Sequence, residues 1–354
     1  MTSSVRLFAV LILVAVATAG AFIALNASDT DSAPDPVEFE EGPATGAVYV
    51  ADGNLFRMKL DSETPKLIGR TPTSDVHASQ SSPWIAYIVP RDPPTERDPD
   101  FIPAPILRLF NPQTSEDFEV GSGFNPLWHP SAPQFVFLRP IVERHCSGER
   151  CEGLFEVVTF DTRSRQEKVV TSPGRFNLLA WSGERVLAAD EADLSATMSI
   201  GLDGQIERLD IEPSELWDAS PDGRYIVRSS PGDASLIDLE SGDKTAIDVG
   251  EGVLATGAWS PDSHHIAAAV LNRPRTRARA VVIAADDGRV EGFTGHLPGV
   301  LNVVWGPDGR EFGFLTFVGS SNRLEINLCS SADGRSSCAI IGPPLQRATL
   351  LRFE

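Results

Sequence analysis

The amino-acid sequence predicts an all-β repeat protein, because one short motif recurs along most of the chain. The clearest copy is WGPDGREFGFLTF, in which an aromatic residue and a turn precede an apolar-alternating run. The copies begin at Ala78, Trp128, Trp181, Ala219, Trp259 and Trp305. Units that recur about every 40 to 50 residues in this way are typical of repeat proteins, whose units stack into one continuous core.

Each unit combines a strong turn signal with a strand signal. In Ser220-Pro221-Asp222-Gly223 the proline fixes φ, the aspartate can bind nearby backbone, and the glycine accepts a φ that other residues resist. The next residues, RYIVR, are β-branched and aromatic, as in a strand. The aromatic residue before the turn is expected to end a strand and to pack between units. The shared positions are Trp128, Trp181, Ser220, Pro221, Asp222, Gly223, Trp259, Pro261, Asp262, Trp305, Pro307, Asp308 and Gly309.

This unit resembles the repeat of TolB-type, WD-like β-propellers. Residues 46–70, GAVYVADGNLFRMKLDSETPKLIGR, resemble the rest of that repeat, with strands separated by an Asp-Gly turn and a second short turn. Two copies, at Trp259 and Trp305, keep the aromatic residue, the proline and the aspartate together. The resemblance covers residues 46–354 and implies a β-propeller, but it transfers no catalytic residue.

Residues 46–354 divide into seven four-stranded units, which would close radially into a propeller. Six blades are the alternative, in which the N-terminal strands complete the last blade. In the seven-bladed interpretation, the run after each turn, such as residues 225–228, is the innermost strand. The first blade spans residues 46–77 and the last 305–354, and the C-terminal LQRATLLRFE supplies an outer strand. No helix is expected after residue 27.

The N-terminal 45 residues differ in composition from the repeats. Residues 7–25 are an uninterrupted apolar or small run, long enough to cross a bilayer. Residues 1–27 are therefore predicted to be either a retained membrane anchor or a cleaved signal peptide, with a cleavage site at Ala17-Thr18-Ala19. Arg6 before the run and the acidic residues after it predict an extracytoplasmic body. Residues 28–45 are acidic, rich in proline and alanine, and predicted to be a flexible linker.

The charge of the chain restricts its partners. The sequence has 49 acidic and 30 basic residues, for a net charge of −19. Such acidity argues against binding of a nucleic-acid backbone. It also favours a soluble, monomeric body, because strong net charge keeps molecules apart. The sequence contains no P-loop, no Rossmann fingerprint and no Gly-x-Ser-x-Gly elbow, and no cofactor or metal is expected.

Three long insertions are predicted to lie on one face of the propeller. They span residues 90–105, 139–153 and 272–279, each in the same position between two strands of its unit. In a four-stranded meander this position lies opposite the Ser-Pro-Asp-Gly turns, and insertions gathered on one face often mark a binding surface. The third insertion contains Arg273, Arg275, Arg277 and Arg279. These arginines are candidates for binding an acidic polymer, an acidic protein or lipid headgroups; alternatively, they pair with the protein's own acidic surface.

The four cysteines suggest two disulfides. Cys146 and Cys151 lie within the second insertion, and Cys329 and Cys338 are symmetric about an Asp-Gly turn, which places them opposite each other across a hairpin. An exported chain with an even number of cysteines usually pairs them. The pairs 146–151 and 329–338 are predicted, although four cysteines allow three connectivities.

These observations predict an exported, membrane-tethered, non-catalytic propeller that binds a protein or an acidic polymer of the cell envelope. If the signal is cleaved, the protein is instead secreted or periplasmic. The alternative is an enzyme that acts on a carbohydrate or lactone in the central channel. His77, His129 and His265 would then have to converge there, whereas an apolar channel would favour the binding protein.

Overall fold

The computed structural model describes residues 46–60, 64–70, 75–91, 101–102, 104–147, 150–190, 193–212, 216–230, 233–272, 277–319, 323–332, 335–346 and 348–353. All the regular secondary structure within these ranges is β-strand. None of the described residues forms a helix with the length and apolar character needed to cross a membrane. The predicted anchor and linker, residues 1–45, lie outside the described residues.

The strands in chain order are β1 (Gly46–Ala51), β2 (Asn54–Lys59), β3 (Lys66–Arg70), β4 (Val76–Ala78), β5 (Ile85–Val89), β6 (Phe101–Ile102), β7 (Ile106–Asn111), β8 (Glu116–Ser122), β9 (Phe124–Trp128), β10 (Gln134–Ser147), β11 (Arg150–Asp161), β12 (Gln166–Val169), β13 (Phe176–Ser182), β14 (Arg185–Asp190), β15 (Asp193–Gly201), β16 (Ile206–Leu209), β17 (Leu216–Ala219), β18 (Tyr225–Ser230), β19 (Asp233–Asp238), β20 (Lys244–Ala246), β21 (Val253–Trp259), β22 (His265–Leu271), β23 (Ala278–Ala284), β24 (Val290–Gly292), β25 (Leu301–Trp305), β26 (Glu311–Phe317), β27 (Arg323–Ala332), β28 (Arg335–Gln346) and β29 (Ala348–Phe353).

The described strands form seven antiparallel sheets, one for each blade, which confirms the predicted seven-bladed propeller. Blade 1 has the order β29-β1-β2-β3, and blade 2 has the order β4-β5-β7-β8. Blades 3 to 7 begin at β9, β13, β17, β21 and β25 and use consecutive strands, with β6 added to blade 3. The apolar core lies between neighbouring blades; Val227 and Leu236 of blade 5, for example, pack with Trp259 and Ile266 of blade 6.

The innermost strands are those that end at the turn, not those that follow it. The first strands of the blades, β4, β9, β13, β17, β21, β25 and β29, contact one another in a closed ring. The prediction that runs such as residues 225–228 are innermost was therefore wrong by one strand. The physical reason is that a tight turn holds its two flanking strands side by side in one sheet, as with β17 and β18. The connection to the next blade is the longer segment that precedes the first strand.

Blade 1 joins the two ends of the described chain. The C-terminal strand β29 pairs with β1, from Ala47 opposite Phe353 to Ala51 opposite Ala348. It is the innermost strand of blade 1, so the prediction that it would be an outer strand of the last blade was wrong. Arg352 of β29 is buried, and its Nη1 donates to the carbonyl oxygens of Ser79 and Ser82 at 3.2 and 2.7 Å. Blade 1 is therefore fastened to the first turn of blade 2.

The repeated turn forms the hydrogen bonds that its residue types predict. The Ser220 hydroxyl donates to Asp222 Oδ1 at 2.6 Å and accepts from the backbone N–H of Tyr225 at 2.8 Å. Asp222 Oδ1 also accepts from the N–H of Arg224 at 3.0 Å. Gly223 has a φ of 80°, in the left-handed region that glycine tolerates. These bonds fix the direction in which β18 leaves the turn.

The repeated aromatic position joins adjacent blades, as predicted. The indole N–H groups of Trp128, Trp181 and Trp305 each donate, at 2.8 Å, to a carbonyl oxygen of the preceding blade's innermost strand. Trp259 packs in the same way, but its buried Nε1 has no hydrogen-bond partner among the described residues. One of the four tryptophans therefore packs without the polar contact that the other three form.

Replacement of two of these tryptophans by phenylalanine should have unequal effects. Trp305→Phe loses its hydrogen bond to Ala258 O, whereas Trp259→Phe removes a buried donor without a partner. We expect Trp305→Phe to lower the free energy of unfolding by about 1 to 2 kcal/mol more than Trp259→Phe does. Urea denaturation of both variants measures this difference, and equal losses would contradict the role of the indole N–H.

Candidate functional site

The insertions of blades 2 and 3 come together on one face. Because each blade is an antiparallel meander, connections between second and third strands lie on the face opposite the Ser-Pro-Asp-Gly turns; we call this the insertion face, and the other the turn face. The second insertion was expected to be a loop over residues 139–153, but its described residues, 139–147 and 150–153, instead prolong β10 and β11 into a long hairpin. From the neighbouring insertion, β6 pairs with this hairpin, Phe101 opposite His145 and Ile102 opposite Arg144. Two predicted insertions thus share one sheet.

The described base of the arginine insertion, between β22 and β23 of blade 6, lies on the same face. Arg273 and Arg275 lie outside the described residues, whereas Arg277 and Arg279 are described. The backbone N–H of Asn272 donates to Arg277 O, and Asn272 Oδ1 accepts from the backbone N–H of Arg277, both at 2.9 Å. These two bonds close the base of the insertion. Arg277 is exposed, and Arg279, opposite Val270 in the sheet, is half-buried.

A cavity of about 260 Å³ opens at the base of this insertion. Its lining comes from three connections on the insertion face, and consists of Val249, Gly250, Glu251, Gly252, Val270, Asn272, Arg279 and His296. Val249 and Val270 are buried and supply an apolar wall. A Cβ added to Gly252 would lie 2.3 Å from Val270 Cγ1, so glycine is needed for the connection to pack this closely. The sequence suggested Arg279, but not the residues from distant connections that surround it.

Arg279 differs from other half-buried arginines of the propeller. Arg108 and Arg139 each form ion pairs, with Nε of Arg108 at 3.1 Å from Asp117 Oδ1 and Nη2 of Arg139 at 2.8 Å from Glu156 Oε2. Arg279 forms none with the described residues; its Nη2 donates to Val249 O at the long distance of 3.4 Å. The alternative interpretation was that the arginines pair with the protein's own acidic surface. For Arg279, no described residue forms such an ion pair.

The turn face has a smaller cavity of different character. It has a volume of about 110 Å³ and is lined by Gln80, Pro130, Pro221, Ala258, Trp259, Pro261, Val304 and Trp305. These residues lie at the ends of innermost strands and in the turns of five blades, and so surround the axis of the ring. No lining residue has an ionisable side chain. This mouth of the channel is therefore apolar.

The three histidines considered for a catalytic centre have separate roles. His77 Nε2 lies 2.7 Å from Asp75 Oδ1, and His265 packs against Trp305 with ring centroids 6.4 Å apart. His129 is buried at a turn, where its Nδ1 accepts from the backbone N–H groups of Ser131 and Ala132 at 3.1 and 3.0 Å. Burial lowers the pKa of His129, although Glu184 opposes this. Within the described ranges no cluster of three metal-binding side chains occurs.

The predicted disulfide between Cys329 and Cys338 is present. The two residues face each other in the β27–β28 hairpin, with their Cα atoms 4.1 Å apart. Cys146 and Cys151 are directly opposite in the β10–β11 hairpin by backbone register. Their side chains lie outside the described part of the chain, so the second pairing stays a prediction.

Sequence analysis gave no indication of the unusual carboxyl group on the innermost strand of blade 5. Burial raises the pKa of Asp218 from 3.8 to about 7, and a hydrogen bond from the Ala219 N–H to its Oδ1, at 2.8 Å, only partly opposes this. The described residues offer Asp218 no ion pair. A carboxyl group of this kind is most easily accommodated in its neutral form.

The described residues define a seven-bladed β-propeller with one decorated face. No protein-family model and no curated protein sequence matches the chain. By structure, TolB from Acinetobacter baumannii is similar at 18% identity and a TM-score of 0.46, over 87% of this chain and 82% of that one. A prolyl endopeptidase is 13% identical with a TM-score of 0.54, over 87% of this chain and 50% of that one. A protein assigned as a 6-phosphogluconolactonase from Bacteroides fragilis is 10% identical with a TM-score of 0.51, over 90% and 100%.

The likeness to the prolyl endopeptidase and to the Bacteroides fragilis protein, with TM-scores of 0.54 and 0.51, supports the fold alone. The chain spans half the length of the prolyl endopeptidase. Since propellers serve both as enzymes and as binding proteins, a shared fold does not transfer an activity.

Proposed function

We propose that this protein is an exported, membrane-tethered, non-catalytic propeller that binds an acidic protein of the cell envelope through its insertion face. The observation on which this proposal rests is Arg279, a half-buried guanidinium that lines a cavity without a carboxylate partner among the described residues. Glu251 lines the same cavity but forms no ion pair with Arg279, so the guanidinium can form charge-assisted hydrogen bonds to an anion of the partner.

Two further observations support the proposal. The insertions of blades 2 and 3 join through β6 and β10, which gives the insertion face an ordered platform. The turn-face mouth of the channel is lined by apolar side chains and one glutamine, and these offer no acid–base group for catalysis. The apolar run of residues 7–25, which is long enough to cross a bilayer, supports export and tethering.

Replacement of Arg273, Arg275, Arg277 and Arg279 by alanine should weaken partner binding. Rim charges act largely through long-range attraction, so we also expect a flatter dependence on salt concentration. If the four side chains together contribute about 1.4 kcal/mol, the apparent affinity falls about tenfold. Pull-down from detergent-solubilised membranes at several salt concentrations, with the bound proteins identified by mass spectrometry, measures both effects.

A matched control changes the same number of charges on the turn face. Arg163, Arg224, Arg289 and Arg310 are exposed in turns on that face, and their replacement by alanine alters the net charge equally. Folding of both variants should change little, since exposed ion pairs contribute about 0–1 kcal/mol each. The proposal fails if both variants retain the partner equally well, or if the control loses it and the insertion-face variant does not.

A further inference from the structure

The cavity at Arg279 is more selective than the binding of an acidic partner surface would require. A guanidinium has five N–H donors in a planar fork that matches a carboxylate. One of them donates to Val249 O, at 3.4 Å, and no described residue accepts from the others. The backbone of Arg279 is fixed in β23, where it lies opposite Val270. Arg279 is therefore positioned to accept one carboxylate of a ligand.

The rest of the lining limits what can accompany that carboxylate. Val249 and Val270 form an apolar wall beside the guanidinium. Glu251 lines the same cavity without forming an ion pair with Arg279, so a second negative charge on the ligand would be repelled, while an N–H donor would be favoured. A Cβ added to Gly250 would meet no atom within 4 Å, which leaves that side of the cavity open for an entering chain.

The size of the cavity favours the end of a chain. A volume of about 260 Å³ equals roughly nine waters at about 30 Å³ each, below the roughly 300–1,000 Å³ of sites for drug-sized ligands. The last residue of a protein carries a carboxylate and a side chain on the same Cα, together with a backbone N–H. A sugar acid has a carboxylate but many hydroxyl groups, which an apolar wall does not satisfy.

We infer that the cavity binds the free C-terminal carboxylate of a partner protein whose last residue is apolar. The carboxylate binds Arg279, the apolar side chain packs on Val249 and Val270, and the last backbone N–H donates to Glu251. This inference rests on the proposed function, because it names the part of the partner that the insertion face recognises. Capture of a terminal carboxylate by positioned donors is an established mode of peptide recognition.

The test compares two peptides that differ in one group. Acetyl-Gly-Gly-valine with a free carboxylate and the same peptide with a C-terminal amide are titrated into the full chain in detergent by isothermal titration calorimetry. We expect the amide to bind at least tenfold more weakly. Arg279→Gln should weaken binding of the free acid by a similar factor, and Arg279→Lys by less, whereas Arg289→Gln, in an exposed turn on the turn face, should stay within twofold. Thermal denaturation of each variant confirms that it is folded.

Several outcomes would overturn the inference. Equal binding of the free acid and the amide would show that the carboxylate is not recognised. Unchanged binding of the free acid by both Arg279 variants would show that Arg279 takes no part in binding. Competition by glucuronate as strong as that of the peptide would identify a sugar acid as the ligand instead of a chain terminus. Equally strong competition by inorganic phosphate would show that the cavity binds any small anion. If the four-arginine variant loses the partner but the original protein binds the free acid and the amide equally, the proposed function stands. Only the inference of a terminal carboxylate is then rejected. Peptide discrimination with an unchanged pull-down would reject the proposed function instead.

Discussion

Deletion of residues 347–354 is expected to unfold the propeller rather than to shorten one blade. The deleted strand β29 is the innermost strand of blade 1 and contacts the innermost strands of blades 2 and 7, so its loss opens the ring. It also removes the buried side chains of Leu350, Leu351 and Phe353. At roughly 1.5–3 kcal/mol for each, this loss is comparable with the 5–15 kcal/mol that stabilises a typical domain. Circular dichroism and limited proteolysis measure the outcome.

Two comparisons show whether ring closure is responsible. A synthetic peptide of residues 345–354, added to the truncated protein, should restore protection from proteolysis. In the full chain, Arg352→Met should lower the free energy of unfolding by about 2–4 kcal/mol, because two carbonyl groups lose a charged donor. The exposed Arg310→Met should stay within about 0.5 kcal/mol of the original protein. A truncated protein that melts within a few degrees of the full chain would contradict the closure.

Asp218→Asn is expected to stabilise the protein at pH 8 but not at pH 4. The pKa of Asp218 is raised by burial from 3.8 to about 7, so the folded state binds the proton more tightly than the unfolded state. Its contribution to stability is full below pH 4 and is lost as the pH rises towards 7. A shift of about three pKa units corresponds to about 4 kcal/mol. Since the residue keeps some solvent contact, we expect roughly half of this.

Guanidinium denaturation at pH 4, 6 and 8 measures the difference between the variant and the original protein. His129 contributes the opposite slope, because its lowered pKa makes folding less favourable as the pH falls below 6.5, but this contribution is common to both proteins and cancels. Asp287→Asn, in an exposed turn, is the control for the amide substitution. Parallel stability curves across this range would show that Asp218 is not the group concerned.

Much of the fold could be predicted because its signals are local. The Ser-Pro-Asp-Gly turn and the tryptophan before it act within a few residues, so they identified the repeat, the number of blades and the packing between them. The grouping of strands was wrong because sequence periodicity is unchanged when the starting point of the unit shifts by one strand. Only the physical requirement that a tight turn joins neighbours in one sheet, as at Ser220, fixes that starting point.

The candidate site was less predictable because its residues come from distant connections. The alternating arginines identified Arg279, but Glu251 and His296 join it only through the packing of separate connections between blades. Similarly, no local signal indicated that β6 would pair with β10, since pairing of two insertions depends on the spacing of blades around the ring. Asp218 was missed because its unusual environment is created by the strands around it, not by its neighbours in sequence.

The pairing of β1 with β29 also determines how the propeller would respond to mechanical load. Gly46 and Phe353 lie at the same end of an antiparallel pair, with Ala51 and Ala348 at the other. Tension applied between the two ends of the body would peel the strands apart one hydrogen-bonded pair after another, instead of shearing all pairs together. The seam that completes the ring would thus be the first part of the propeller to open under such tension.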